Sequence, residues 1–146
     1  PEPLSAAFTA KKLLAGLKES GSPIRSWLLN QRRLAGVGNI YANEALHIAG
    51  IHPQRSARSI TGREARRLHR ALRSTLRQAL ANRGTTLRDY RDASGAPGGN
   101  AAALTVYGRV GEPCHRCSAG IERTVFGNRS AFLCPMCQPY EPGEKP

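Results

Sequence analysis

Aromatic residues are scarce in this chain: one Trp, four Tyr and three Phe make up 5% of 146 residues. Its core must therefore rest on Leu, Ala, Ile and Val, which an apolar fraction of 40% can supply. Long apolar runs are missing as well. None approaches the roughly 20 residues that a bilayer-spanning helix needs, and no secretory leader pattern is visible. A soluble intracellular protein with no membrane partner is expected. Acidic residues are few, ten against 22 basic ones, and lysine is limited to Lys11, Lys12, Lys18 and Lys145. The net charge of +12 is thus carried on 18 arginines. Arginine's planar fork grips phosphate through paired N–H groups, so nucleic acid is a better partner than an anionic membrane surface.

Most of the N-terminal part reads as helical. Pro1-Glu2-Pro3 is extended through its prolines, and Thr9 can cap a short helix to Leu17. Gly21-Ser22-Pro23 ends that helix and opens another, with Ser22 as N-cap and Pro23 in the first helical position. Ile24, Trp27, Leu28 and Leu34 are spaced to bury one side, with Trp27 as a core anchor. Arg25, Arg32 and Arg33 face elsewhere, either solvated or reaching phosphate. The stretch Leu34 to Leu46 is the pivot. Gly36 and Gly38 can take positive φ or admit another backbone closely. Asn39 suits an N-cap, and the start of a helix attracts phosphate. Two readings stand for this turn, a plain helix corner and a phosphate seat.

The helix from Asn39 runs to about Ala49, with Gly50 as its left-handed cap. His52 is structural or a phosphate donor. Thr61 and Glu64 form a capping box ahead of a core stripe of Ala65, Leu68, Leu72, Leu76 and Ala79. Arg66, Arg67, Arg70, Arg73 and Arg77 fill much of the remaining face, and Asn82-Arg83-Gly84 closes the helix. Between Arg55 and Arg91, eleven arginines stand against Glu64 and Asp89. That concentration is an electrostatic footprint for polyanions. Asp92 to Asn100 is small and glycine-rich, a long functional or mobile loop, after which Leu104 and Val106, with Gly108, alternate as a short strand.

All four cysteines lie in the last segment. Cys114 and Cys117 bracket two residues, as do Cys134 and Cys137, and residues 118–133 separate the pairs. This is the spacing of a four-thiolate zinc site; disulfides are the alternative, which an intracellular setting disfavours. Ile121 to Phe126 and Ser130 to Leu133 read as strands across a Gly127-Asn128-Arg129 turn, with Arg129 at the tip. The boundaries drawn are a helical domain over 1–92, a loop and linker over 93–107, a zinc-bound segment over 108–138 and a disordered tail over 139–146.

Leu28-Leu29-Asn30-Gln31, Ala35 through Ala42 and Ala49 through Pro53 resemble the helix–two-turn–helix domain of bacterial formamidopyrimidine-DNA glycosylase. Gly84 through Tyr90 is similar to that family's next segment, and Val106 through Cys114 with Cys134 through Gln138 resemble its zinc finger. The resemblance spans nearly the whole chain in order. It implies a mainly α fold with a small β zinc finger: a helix–two-turn–helix bundle followed by a four-cysteine zinc β-hairpin holding one structural Zn2+. It also implies a monomer in the bacterial cytoplasm that binds damaged double-stranded DNA.

The family is a bifunctional glycosylase and abasic-site lyase for oxidised purines, typified by 8-oxoguanine and formamidopyrimidines. It works through a Schiff base on an N-terminal proline and β,δ-elimination. Those catalytic residues belong to an N-terminal β-sandwich domain expected to be absent here and to be this chain's intramolecular partner; Pro1 through Ser5 resembles the interdomain segment. The chain alone is expected to bind DNA without cutting it. By resemblance, Asn39 grips phosphate beside the lesion, with Gly38 admitting the strand. Arg129 clamps the same backbone and donates the proton of the δ-elimination. Arg25 stands where a lysine is common. The glycine-rich loop covers the extruded base, but Gly99 to Ala103 lacks the usual aromatic and glutamines. Two alternatives are an endonuclease VIII-type glycosylase for oxidised pyrimidines and a non-catalytic zinc-containing DNA-binding module.

Overall fold

The computed structural model describes residues 2–30, 32, 34, 37–81, 104–126 and 129–140. Four helices, α1 (Ala10–Lys18), α2 (Ile24–Leu29), α3 (Asn39–Ala49) and α4 (Gly62–Ala81), precede a hairpin of β1 (Glu122–Phe126) and β2 (Arg129–Leu133). Gln31, Arg33, Ala35, Gly36, the expected end of α4 at Asn82-Arg83-Gly84, the glycine-rich loop, Gly127-Asn128 and the tail from Glu141 lie outside the described residues.

Local chemistry sets the helix boundaries. The Thr9 hydroxyl accepts the Lys12 N–H at 3.2 Å and starts α1. The start of α2 is one residue later than the sequence reading. Pro23 is extended, with ψ 142°, and bridges to Ser56, so helical backbone begins only at Ile24. Ser22 turns its hydroxyl to Ser20 Oγ at 2.7 Å and does not cap. Leu34 is buried, but beyond the end of α2. The proline-bearing N-terminus folds into successive turns, Ser5 N–H to Glu2 O and Phe8 N–H to Ser5 O. The Arg73 guanidinium secures them by donating to Pro3 O at 2.8 Å and Ser5 O at 3.1 Å.

At α4 the capping box forms as read. Thr61 N–H donates to Glu64 Oε1 at 3.0 Å, and Glu64 N–H to Thr61 Oγ1 at 3.1 Å. The stripe of Ala65, Leu68, Leu72 and Ala79 is buried, joined by Ala71 and Thr75, while Leu76 is half-buried. Ala65, Leu68, Ala71 and Leu72 pack with Leu13, Leu17, Ile24, Leu28, Leu46, Ile51 and Ile60 into an aliphatic core. Trp27 closes this core against Gly16, where an added Cβ would lie 3.0 Å from the indole.

A second, smaller core holds Val106, Cys114, Ile121, Phe132 and Cys134, with Tyr107 edge-on to Phe132 at 4.8 Å. The hairpin register runs from Glu122 opposite Leu133 to Phe126 opposite Arg129, so Arg129 opens β2 and is not a turn residue. The short strand read at Leu104 and Val106 does not form, because the N–H groups of residues 105–107 go to a side chain of α3. Tyr140, assigned to the tail, stacks on His52 at 4.6 Å. α3 is the shared element: α2 and α4 pack on it within the helical core, and β2 packs on it from the zinc side.

Candidate metal centre and nucleic-acid interface

The Cys114, Cys117, Cys134 and Cys137 sulfurs all lie within 4.8 Å of one another. Cys117–Cys134, Cys117–Cys137 and Cys114–Cys137 are separated by 3.4, 3.7 and 3.9 Å. Four thiolates at about 2.3 Å from one tetrahedral ion stand about 3.8 Å apart, so the cluster fits one structural zinc. All four cysteines are free of disulfides. Backbone N–H groups of Arg116 and Cys137 approach the Cys114 and Cys134 sulfurs at 3.4 Å, the outer-shell pattern that steadies thiolates. Burial pushes the Cys114 thiol up, but hydrogen bonds from the Arg116 and Cys117 N–H groups outweigh it and bring it down to about 7. Zinc binding supplies folding energy to a segment whose own core is this small.

The sequence reading missed what holds the two modules together. Asn43, Glu44 and His47 on α3 are buried polar residues, each 3% exposed or less. The Glu44 carboxylate accepts from Thr105 N–H, Thr105 Oγ1, Val106 N–H and Tyr107 N–H at 2.6 to 2.9 Å. Asn43 Oδ1 accepts the Phe132 N–H at 2.7 Å, which adds a side-chain rung to the outside of β2. His47 places Nδ1 2.9 Å from Thr105 Oγ1 and Nε2 3.5 Å from Cys114 Sγ. Burial first, then the Arg116, Arg109 and His115 charges, lowers this imidazole to about 4 and keeps it neutral at pH 7. Arg116 donates to the His47 and Ile48 carbonyls and so caps the C-terminal end of α3. Gln138 completes the seam, accepting from Cys134 N–H at 2.8 Å and donating to Ile51 O at 2.9 Å. A usable signal was present in the sequence. Asn39, Asn43 and His47 recur every four residues on a helix otherwise rich in Ala, Leu and Ile, which draws a polar line along one face.

Asn39 heads that line. It is the first residue of α3, and Gly38 holds the cap position, so the Asn39 side chain is not a helix cap. Its Oδ1 accepts from Arg25 Nη2 at 2.9 Å, and its Nδ2 donates to Ser130 O at 3.0 Å. One amide thereby ties α2 to β2 across the start of α3. Arg25, read as facing away from the core, is only 4% exposed. Burial lowers its guanidinium below the ordinary arginine value, and the neighbouring Arg129 charge lowers it further. Arg129 itself is exposed. Gly38 has φ −91°, which any residue adopts, and a Cβ there would meet nothing within 4 Å. Of the two uses read for this glycine, open space for an incoming backbone is the one the geometry leaves. Two cationic groups and the first turn of a helix are thus gathered at one edge where the modules meet.

Comparisons with known proteins agree with this architecture. The family model for the formamidopyrimidine-DNA glycosylase H2TH domain matches residues 1–91, and that for the zinc finger found in FPG and IleRS matches residues 111–139. The formamidopyrimidine-DNA glycosylase of Thermus thermophilus is 51% identical over 140 residues, covering 94% of this chain and 52% of the relative. That of Chloroflexus aggregans is 49% identical over 138 residues, with 94% and 50% coverage. The crystal structure of the MutM (Fpg) protein from Thermus thermophilus superposes with a TM-score of 0.87 at 51% identity, over 97% of this chain and 54% of that one. The Lactococcus lactis Fpg in complex with DNA containing an abasic site gives 0.86 at 34% identity, over 96% and 51%. The chain spans about half the length of the curated relatives it matches. With a helix–two-turn–helix bundle, a zinc hairpin of four cysteines and a matching family model over residues 1–91, the chain belongs to the formamidopyrimidine-DNA glycosylase H2TH family.

Proposed function

We propose that this chain is the damaged-DNA-binding portion of a bifunctional DNA glycosylase and abasic-site lyase acting in base excision repair. The substrates are oxidised purines, 8-oxoguanine and formamidopyrimidines, and the chemistry is Schiff base formation followed by β,δ-elimination. The observation that carries this reading is the convergence of Gly38, Asn39, Arg25 and Arg129 at the seam between the helical bundle and the zinc hairpin. A phosphate seated there meets the first-turn N–H groups of α3 and two guanidinium charges. It relieves the Arg129 repulsion that adds to burial in depressing Arg25. Asn39 acts on the strand through the frame it builds, holding Arg25 and the Ser130 carbonyl in place, and Gly38 leaves the backbone room. Arg129 is the clamp from the zinc side and the proton donor for the δ-elimination.

Residues 1–91 and 111–139 match the family's H2TH and zinc-finger parts, so residues 1–146 taken by themselves bind duplex DNA, abasic sites above all, without cutting it. Borohydride treatment with abasic DNA should trap no covalent adduct; an adduct through Pro1 would overturn that part. Arg129→Ala should weaken binding and reduce the salt slope by about one phosphate contact. Unchanged affinity and slope would remove the clamp. In a protein that includes the N-terminal domain, excision of oxidised pyrimidines in preference to 8-oxoguanine would replace the purine assignment with the endonuclease VIII type.

A further inference from the structure

The phosphate seat uses two arginines, yet most of the excess positive charge lies elsewhere. On α4, Arg63, Arg66, Arg67, Arg70 and Arg77 are all exposed. At about 100° per residue, Arg63, Arg70 and Arg77 fall almost in line along the helix, with Arg66 and Arg67 to either side. Ser74 and Gln78 complete this face, while the buried Ala65, Leu68, Leu72 and Ala79 lie opposite. The ion pairs among the described residues are Arg55–Glu64 and Arg109–Glu112, and neither uses one of these five arginines. Arg70 forms the wall between two shallow depressions. One, of about 210 Å3, is shared with Ile48, Arg67 and Ser74, and the other, of about 320 Å3, with Ala10, Arg66 and His69.

α4 packs on α3 and α1, whereas β2 packs on α3. On α3, Ala42, Ala45 and Ala49 serve the helical core, while Asn39, Asn43 and His47, on the neighbouring side of the helix, serve the hairpin. The stripe is set on an element that packs on α3 and α1, and none of its five arginines is among the residues gathered at the Asn39–Arg129 seam.

We propose that the exposed stripe of α4 is a second DNA-binding surface, which takes the phosphate backbone of a separate duplex segment without regard to sequence or lesion. From Arg63 to Arg77 the helix spans about 21 Å, and one strand of B-DNA presents about six phosphates over that length. Five basic side chains match that supply. An acidic protein helix fits less well, because helix-in-groove docking needs a seam of apolar anchors and Ser74 and Gln78 stand where such anchors would be. The surface does not depend on damage recognition, so it stands or falls separately from the seat at Asn39.

The test uses this chain with an undamaged duplex, titrated over a range of salt. The triple variant R63Q/R70Q/R77Q should lower the slope of log affinity against log salt by about 2.7, three phosphates' worth. R63K/R70K/R77K should keep the wild-type slope. At low salt the wild type should bind two short duplexes and the glutamine variant one, and Arg129→Ala should leave the α4 site occupied. All the substituted residues are exposed, and an unchanged thermal transition confirms that the variants fold. A wild-type slope and stoichiometry in the glutamine variant would overturn the proposal. So would binding of polyglutamate at the stripe that DNA fails to displace.

Discussion

Asn43 accepts the Phe132 N–H at 2.7 Å and so serves as an extra hydrogen-bonding edge for β2, supplied by a helix from the other module. The same side chain donates to Asn39 O at 2.7 Å, which joins the start of α3 to the middle of the hairpin.

Asn43→Ala leaves the Phe132 N–H buried without that acceptor. The loss should be about 1–3 kcal/mol, the usual desolvation cost of an orphaned donor. Thermal or denaturant unfolding measures the total, and amide exchange at Phe132 localises it. Exchange at Phe132 as slow as in the wild type would show that another group has replaced the asparagine.

Chelation of zinc should unfold residues around the four-cysteine cluster while the helical core persists, because the aliphatic cluster of α1 to α4 contains none of the four cysteines. Circular dichroism should keep most of its helical signal as hairpin amides lose protection. His47→Ala, which removes the imidazole beside Cys114, should weaken zinc about 10-fold or more. A single cooperative loss of all structure on chelation would contradict this division.

The two glycines that flank α3, Gly38 and Gly50, should respond in opposite ways. Gly38→Ala meets no neighbour and needs no positive φ, so it should be neutral or stabilise by about 0.4–1 kcal/mol. Its DNA affinity should fall, since the new methyl group occupies the strand's space. Gly50→Ala should destabilise by about 1–2 kcal/mol, since φ is +76° and the Cβ would sit 3.3 Å from Cys137 O. Equal stability changes at the two positions would refute the distinction.

Glu64 gives the protein an acid-sensitive cap. Burial raises its carboxyl, but the Arg55 and Thr61 hydrogen bonds and the Arg55 charge outweigh this and hold it below the usual 4.5. A group depressed in the folded state stabilises above its unfolded value, and that contribution is lost as pH falls through the folded one. Below 4.5 the wild-type melting temperature should therefore drop faster than that of Glu64→Gln, which starts about 1 kcal/mol lower near neutrality. Parallel acid profiles would assign the sensitivity to another group.

The helical part was legible because its signals are local. The Thr9 cap, the Thr61–Glu64 box, the Gly50 terminator and the spacing of Leu68 and Leu72 each act within one or two turns. The zinc cluster was legible because two Cys-x-x-Cys pairs state their own chemistry. What escaped depends on contacts far apart in the chain. Arg25 looked like a surface charge until the loop at Pro53 and Arg55 closed over the start of α2, taking the Arg25 and Ile24 N–H groups. Residues 104–107 alternate like a strand, yet among the described residues no strand partners them; a single carboxylate at Glu44 gathers three of their N–H groups. Asn39 had the composition of a cap and became a strut, because Arg25 and Ser130 lie within reach of its amide only in the folded chain.

On the proposed reading of the seam, the bond from Asn39 to Ser130 would make metal and DNA thermodynamic neighbours. A strand that seats between α3 and the hairpin favours the arrangement in which this bond is closed, and the same arrangement is the one that zinc stabilises. Coupling of this kind is reciprocal, so the factor by which zinc tightens DNA is the factor by which DNA tightens zinc. Release of zinc to a chelator should accordingly slow when abasic duplex is bound, and Asn39→Ala should shrink that difference. If the chain binds DNA as proposed, it holds its metal most firmly while the duplex is bound.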